Sequence, residues 1–167
     1  MATLRKILLV DDDDDLREAL SEQLVMTEDF DVFEARTGAE GMEKAKAAAY
    51  DLVILDVKMP VLDGISAAEK IIKLAPVLML TAFSQRELVE RARDAGVMAY
   101  VVKPFSIGDL VPAIEIAISR HLQMRSLADE VADLHERLET RKIIDKAKGI
   151  LMSALNLSEP QAFSWIQ

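Results

Sequence analysis

The chain contains no cysteine, so neither a disulfide framework nor a thiolate metal site can hold it together. A cysteine-free chain suits a reducing compartment. Long apolar runs are missing too: no stretch approaches the roughly 20 residues of a bilayer span. The N-terminal "MATLRKILLVDD" meets acid after four apolar residues, too few for a secretory signal. No membrane association and a cytoplasmic location are therefore expected. Excess positive charge is the third absence. The formal net charge is −9, and residues 1–119 carry all of it, with 13 Lys/Arg against 22 Asp/Glu. Residues 120–167 balance at seven of each. A domain that acidic repels nucleic acid as a whole, which leaves any such contact to a local patch in the tail.

Apolar residues are plentiful. About half the 167 residues are hydrophobic, enough for the core of one ordinary domain plus an appendage. "KILLV" (6–10), "DVFEA" (31–35), "DLVILDV" (51–57), "PVLMLT" (76–81) and "AYVVK" (99–103) read as strands. Helical spacing fills the intervals at Leu16–Val25, Ala39–Ala48, Ile65–Leu74, Arg86–Ala95 and Ile107–Ile118. Strands apolar on both faces, alternating with helices, predict an α/β domain over residues 1–119 built on a five-stranded, doubly wound parallel sheet.

The tail changes character. Met124, Leu127, Val131, Leu134 and Leu138 recur at spacings of 3, 4, 3 and 4, the a/d pattern of a coiled-coil seam. Between Ile107 and the seam only Gly108 and Pro112 could interrupt a helix, and both lie near its start. One long helix leaving the domain is expected, with residues 120–140 as a coiled-coil linker and a parallel homodimer through Leu127, Val131, Leu134 and Leu138. The alternative is a lone amphipathic helix folded back on the sheet. Residues 141–167 hold a second helical stretch to about Ala154, then a helix opened by Ser158 as cap and Pro160 in the first turn.

In an open parallel sheet the site lies outside the carboxyl ends of the strands. Those ends carry Asp11 and Asp12, Asp56, Thr81, and Lys103 before Pro104. Clustered carboxylates raise one another's pKa and are unstable alone. Around a hard divalent cation they make sense, and Mg²⁺ is favoured where phosphate is present. The lysine and hydroxyl would pair with an incoming anion. Asp13, Asp14 and Asp15 read instead as acid placed at a helix start by the macrodipole.

These residues carry a specific resemblance. "LLVDD", "LVILDVKMPVLDG", "LMLTA" and "YVVKPF" are similar, in order, to the signature segments of response-regulator receiver domains, whose fold is flavodoxin-like. The resemblance covers residues 4 to about 120. It implies that Asp56 accepts a phosphoryl group from a sensor histidine kinase. Asp12, Asp56 and the backbone carbonyl of Lys58 would hold Mg²⁺, with Asp11 assisting through water. Thr81 and Lys103 would bond the phosphoryl oxygens, and Tyr100 would be an aromatic switch, inward when phosphorylated. The choice of kinase would lie in exposed side chains of the first helix.

Beyond the domain, Arg141, "AKGILM" (147–152) and "SEPQAF" (158–163) resemble the start of the ANTAR domain, an RNA-binding antitermination output. Together with "LTAFSQRELVERARDAG" and "AYVVKPFSIGDLVPAIE" they resemble actinobacterial receiver–ANTAR regulators. The resemblance implies RNA hairpins as ligands, and the cations available are Arg141, Lys142, Lys146 and Lys148. On a helix these wrap around rather than form one flat stripe. The ANTAR pattern continues through a further helix whereas this chain stops at Gln167, so RNA binding is expected to be weak. The 25 residues from Asp56 to Thr81 are few for a receiver, and a junction between Asp56 and Pro76 is where a recombined chain would join.

Two other readings stay open. Aspartate-nucleophile phosphatases of the haloacid dehalogenase type also gather carboxylates and Mg²⁺ on a doubly wound sheet. They place Asp-x-Asp after the first strand and insert a cap, whereas here "DVKMP" follows the third strand and no insertion is cap-sized; an enzyme is not expected. The other is a phosphorylated receiver with a plain coiled-coil tail and no RNA role.

Overall fold

The computed structural model describes residues 3–57, 61–82 and 86–166. Five strands, β1 (Arg5–Val10), β2 (Phe30–Ala35), β3 (Leu52–Val57), β4 (Val77–Thr81) and β5 (Ala99–Val102), alternate with α1 (Asp14–Val25), α2 (Gly38–Ala47), α3 (Val61–Ile71) and α4 (Arg86–Asp94). Two further helices follow, α5 (Ile107–Leu155) and α6 (Glu159–Ile166). The chain divides into two compact units, one reaching Leu122 and the other starting at Gln123.

In the first unit all pairings are parallel and the strand order is β2-β1-β3-β4-β5. The pleat, with its period of two, sends each strand's apolar side chains to both faces. Leu8, Val10, Val53, Leu55, Val77 and Met79 pack with Ala45, Ile65, Ala68, Ile71 and Ala92 from α2, α3 and α4. On the other face Ile7, Leu9, Leu52, Ile54, Leu78 and Leu80 meet Leu20 and Leu24 of α1 and Leu110, Ile114 and Ala117 of α5. This is the doubly wound sheet that the apolar strands predict. Between β1 and β3 the order of strands reverses, which opens a crevice at their carboxyl ends.

Helix α2 lies close on β1 because Gly41 has no side chain. A Cβ there would sit 2.8 Å from Cγ2 of Val10, itself buried and stiff at χ1. Gly41→Val must therefore push the helix off the strand. A loss of about 1–3 kcal/mol is expected, the usual cost of overpacking, read from urea denaturation of the full chain.

Several element bounds differ from the expected ones. Helix α1 starts at Asp14 rather than Leu16, because Asp13 caps it by accepting a hydrogen bond from Leu16 N at 3.2 Å. Helix α3 runs from Val61 rather than Ile65 and stops at Ile71, where Leu74 N and Ala75 N close a turn onto its last carbonyl. Ala75 precedes Pro76, which disfavours helical backbone there. Pro112 stands six residues into α5, beyond the tolerated first turn, and the helix passes through it with one ladder bond forgone.

Helix α5 also crosses residues 119/120 and 140/141 without a break, so the two helical stretches expected in the tail are one to Leu155. In the second unit it ends at Asn156, which takes a left-handed backbone (φ 55°). Ser158 then caps α6, its carbonyl accepting from Ala162 N at 2.9 Å. Ala162 is buried, and Leu127, Val131, Leu134 and Leu138 are each more than half exposed, at 57–65%.

Candidate functional site

The strand register assembles the site. Val10 of β1 lies beside Leu55 of β3, so Asp11 and Asp56 leave the sheet at the same level. Asp56 pairs with Leu80 and Val57 with Thr81, which sets the threonine one step beyond the aspartate. Thr81 in turn pairs with Val102, and Lys103 follows, its N–H donating to the Thr81 carbonyl at 2.7 Å.

The Asp56 carboxylate is almost sealed, its side chain 1% exposed. Its Oδ2 accepts a hydrogen bond from Lys103 Nζ at 2.8 Å, and its Oδ1 is buried with no hydrogen-bond partner among the described residues. Asp11 repeats the pattern: Oδ1 accepts from Asp13 N at 2.9 Å, while Oδ2 is buried without a hydrogen-bond partner among the described residues. One carboxylate oxygen from each of Asp11, Asp12 and Asp56 falls within a set no wider than 4.8 Å. Burial, with the facing Asp56 adding to it, pushes the Asp11 carboxyl up to about 7 against the pull of the Asp13 N–H and Lys103. Three carboxylates thus face one ammonium and one another, and two of their buried oxygens lack a hydrogen-bond partner among the described residues. An all-oxygen donor set of this kind fits a hard divalent cation.

Thr81 is buried at the rim and Tyr100 lies on β5 with its side chain about half exposed. Lys58, whose carbonyl was expected to join the metal set, lies outside the described residues. The acidic run "DDDDD" divides its labour. Asp11 and Asp12 enter the carboxylate set, Asp13 caps α1, and Asp14 pairs with Arg17. Arg17 holds the Asp14 carboxyl below the usual carboxylate range, with Arg36 adding to it.

Arg17 is the residue sequence reasoning missed. It is 4% exposed and spends its whole fork: Nη2 donates to Asp14 Oδ1 at 2.6 Å, Nε to Glu34 Oε2 at 2.9 Å, and Nη1 to the backbone carbonyl of Asp11 at 2.8 Å. The i,i+3 spacing to Asp14 is the one local signal that could have found it.

In the second unit Arg141, Lys142 and Lys146 are exposed. Lys142 pairs with Glu139 at 3.2 Å. Lys148 is otherwise engaged. Its side chain is 18% exposed, between Asp145 at 3.5 Å and Glu159 at 3.2 Å, with Nζ 5.8 Å from the centre of the Phe163 ring. The hydrogen bond that Lys148 Nζ donates to Glu159 leads the causes that push its pKa up. Lys148 therefore ties α6 to α5.

A five-stranded parallel sheet with an acidic crevice, a buried aspartate and a lysine at its carboxyl edge is the make-up of a receiver domain. The chain belongs to the response-regulator family: the response regulator receiver domain matches residues 7–115, and the ANTAR domain, an RNA-binding output class, matches residues 132–167. It is 53% identical to the transcriptional regulatory protein PdtaR of Mycobacterium tuberculosis over an alignment of 169 positions that covers 99% of this chain and 82% of that protein. The response regulator protein VraR of Staphylococcus aureus is 33% identical over 83% of this chain and 72% of its own length. Among solved structures, the chemotaxis protein CheY4 of Vibrio cholerae superposes with a TM-score of 0.63 at 30% identity, covering 69% of this chain and 99% of that one. A CheY-like receiver from Methanospirillum hungatei gives 0.65 at 29% identity, over 73% and 99%. No helix among the described residues is long and apolar enough to cross a membrane.

Proposed function

We propose that the chain is a cytoplasmic two-component regulator whose Asp56 accepts a phosphoryl group from a sensor histidine kinase and thereby switches a dimeric, RNA-directed antitermination output. The observation that carries this reading is the sealed Asp56 carboxylate, 2.8 Å from Lys103 and within reach of two further acids. Asp12, Asp56 and the Lys58 carbonyl would hold Mg²⁺, with Asp11 acting through water. When bound, the ion neutralises charge on the phosphoryl oxygens. An Asp56 carboxylate oxygen attacks phosphorus, a new O–P bond forms, and the P–N bond to the donor imidazole breaks, leaving with its electron pair. Lys103, freed from Asp56, and the Thr81 hydroxyl then hydrogen-bond the new phosphoryl oxygens. Tyr100, half exposed before the reaction, turns inward behind Thr81 as the switch. The reaction is stoichiometric rather than a turnover. Acetyl phosphate with Mg²⁺ tests this, one label per chain being expected and many released phosphates per chain contradicting it.

For the output, charge limits what RNA can gain. Of the four candidate cations, Lys142 and Lys148 already have acidic partners, leaving Arg141 and Lys146. A dimer then neutralises about four phosphates, and at a slope of about −0.9 per phosphate its affinity falls roughly a hundredfold between 50 and 200 mM salt. Recognition of loop bases needs stacking or base-edge contacts, for which Phe163 and Trp165 are exposed. Weak, salt-sensitive binding of RNA hairpins is expected by fluorescence anisotropy. A preference for hairpin over duplex of about a hundredfold at physiological salt would contradict this estimate of the output. Absence of any RNA binding would favour the plain coiled-coil reading, which the engaged lysines support.

A further inference from the structure

Arg17 is an unusual residue to bury, since an arginine inside a protein is tolerated only when paired and fully hydrogen-bonded. Two of its three contacts are carboxylates, Asp14 on its own helix and Glu34 on β2, and these more than offset its charge. The third is different. Nη1 donates to the carbonyl of Asp11, the residue at which β1 leaves the sheet and enters the acidic crevice. Asp11 is thereby restrained on every side but one. Its N–H donates to the Ala35 carbonyl at 3.1 Å, its carbonyl accepts from Arg17, and its Oδ1 accepts from the Asp13 N–H. What remains is Oδ2, buried without a hydrogen-bond partner among the described residues, in an aspartate whose carboxylate joins those of Asp12 and Asp56.

We propose that Arg17 is a positioning residue of the acidic crevice: its fork, anchored on Asp14 and Glu34, fixes the Asp11–Asp12 backbone so that both carboxylates present their oxygens to the cation. The inference rests on the reading of the crevice as a Mg²⁺ and phosphoryl site. Groups that orient metal ligands without touching the metal typically change affinity by about 10–100-fold when lost. Coulomb's law pulls the other way. Removing a nearby cation and exposing Asp14 and Glu34 would by itself tighten Mg²⁺ binding. A fall in affinity on losing Arg17 therefore reports geometry and not charge.

The test is titration of the full chain with MgCl₂ by calorimetry, with Mn²⁺ paramagnetic resonance as a second readout. Arg17→Gln should bind about tenfold or more weakly. Arg17→Lys, which keeps a cation but not the fork, should also weaken binding, and serves if Arg17→Gln fails to fold. Leu24→Ala, fully buried on the same helix but away from the crevice, controls for a loosened α1; it should melt lower and keep its Mg²⁺ affinity. Unchanged or tighter binding in a folded Arg17 variant overturns the proposal, as does an equal loss in Leu24→Ala. If the unmutated chain takes up no Mg²⁺, or Asp12→Ala binds as well as it does, the metal reading itself has failed and the proposal falls with it. Binding by the unmutated chain, loss in Asp12→Ala and no change in Arg17→Gln would overturn the role of Arg17 alone.

Discussion

Asp56→Asn is expected to abolish stoichiometric labelling by acetyl phosphate while the fold survives. The substitution removes the attacking anion and little else. The amide oxygen can still accept the hydrogen bond that Lys103 Nζ gives the carboxylate at 2.8 Å, and the side chain keeps its volume in a site 1% exposed. Fold stability should not suffer in metal-free buffer. Three carboxylates compete there for one ammonium, and the Asp11 carboxyl is already pushed up to about 7, so removing one negative charge relieves the others. The variant should therefore melt no lower than the unmutated protein when EDTA is present. Labelling is read by incorporation of phosphate into the intact chain. Undiminished labelling of Asp56→Asn would remove the acceptor role from this residue.

The second large effect concerns assembly. Leu127→Asp combined with Leu134→Asp should convert a dimer into a folded monomer. Val131 at an a position with Leu127 and Leu134 at d is the combination that favours two parallel strands. Each of these side chains is more than half exposed in the single chain, so a two-fold partner would gain nearly the full burial of each. A fully buried leucine contributes about 1.5–3 kcal/mol, and the dimer holds four at the two substituted positions. Aspartates there would instead face each other across a desolvated seam. Sedimentation velocity should give a dimer for the unmutated chain and a monomer for the double variant, with unchanged receiver-domain circular dichroism. A monomeric unmutated chain at high micromolar concentration would mean that the exposed stripe has another purpose.

The sheet and the acidic crevice were legible in the sequence for one reason. Each candidate site residue ends an apolar run, and a parallel sheet brings all strand ends to one edge, so Asp11, Asp56, Thr81 and Lys103 could be grouped without knowing strand order. Arg17 was hidden because its burial depends on Glu34, one strand over, and on the Asp11 carbonyl, which no side-chain pattern encodes. In an acidic helix start it reads as a solvated cation. Lys148 misled in the opposite sense. Counting charge in "RKIIDKAKGI" treats it as available, yet its partners include Glu159, which reaches it only because the chain turns at Asn156. The expected break near residue 140 had no Gly or Pro behind it, and α5 runs through. The reason for Gly41 within α2, the close approach of Val10, is tertiary and no local pattern carries it.

The proposed switch depends first on where the phosphoryl group goes. Treating the unmutated chain with acetyl phosphate and Mg²⁺, then reducing the acyl phosphate with borohydride and mapping the product by peptide mass spectrometry, tests that directly. The expected result is one reduced aspartate per chain, in the peptide containing "LVILDVK", at Asp56. Reduction at Asp11, Asp12 or Asp63 instead, or phosphate release with no aspartate reduced, would contradict it.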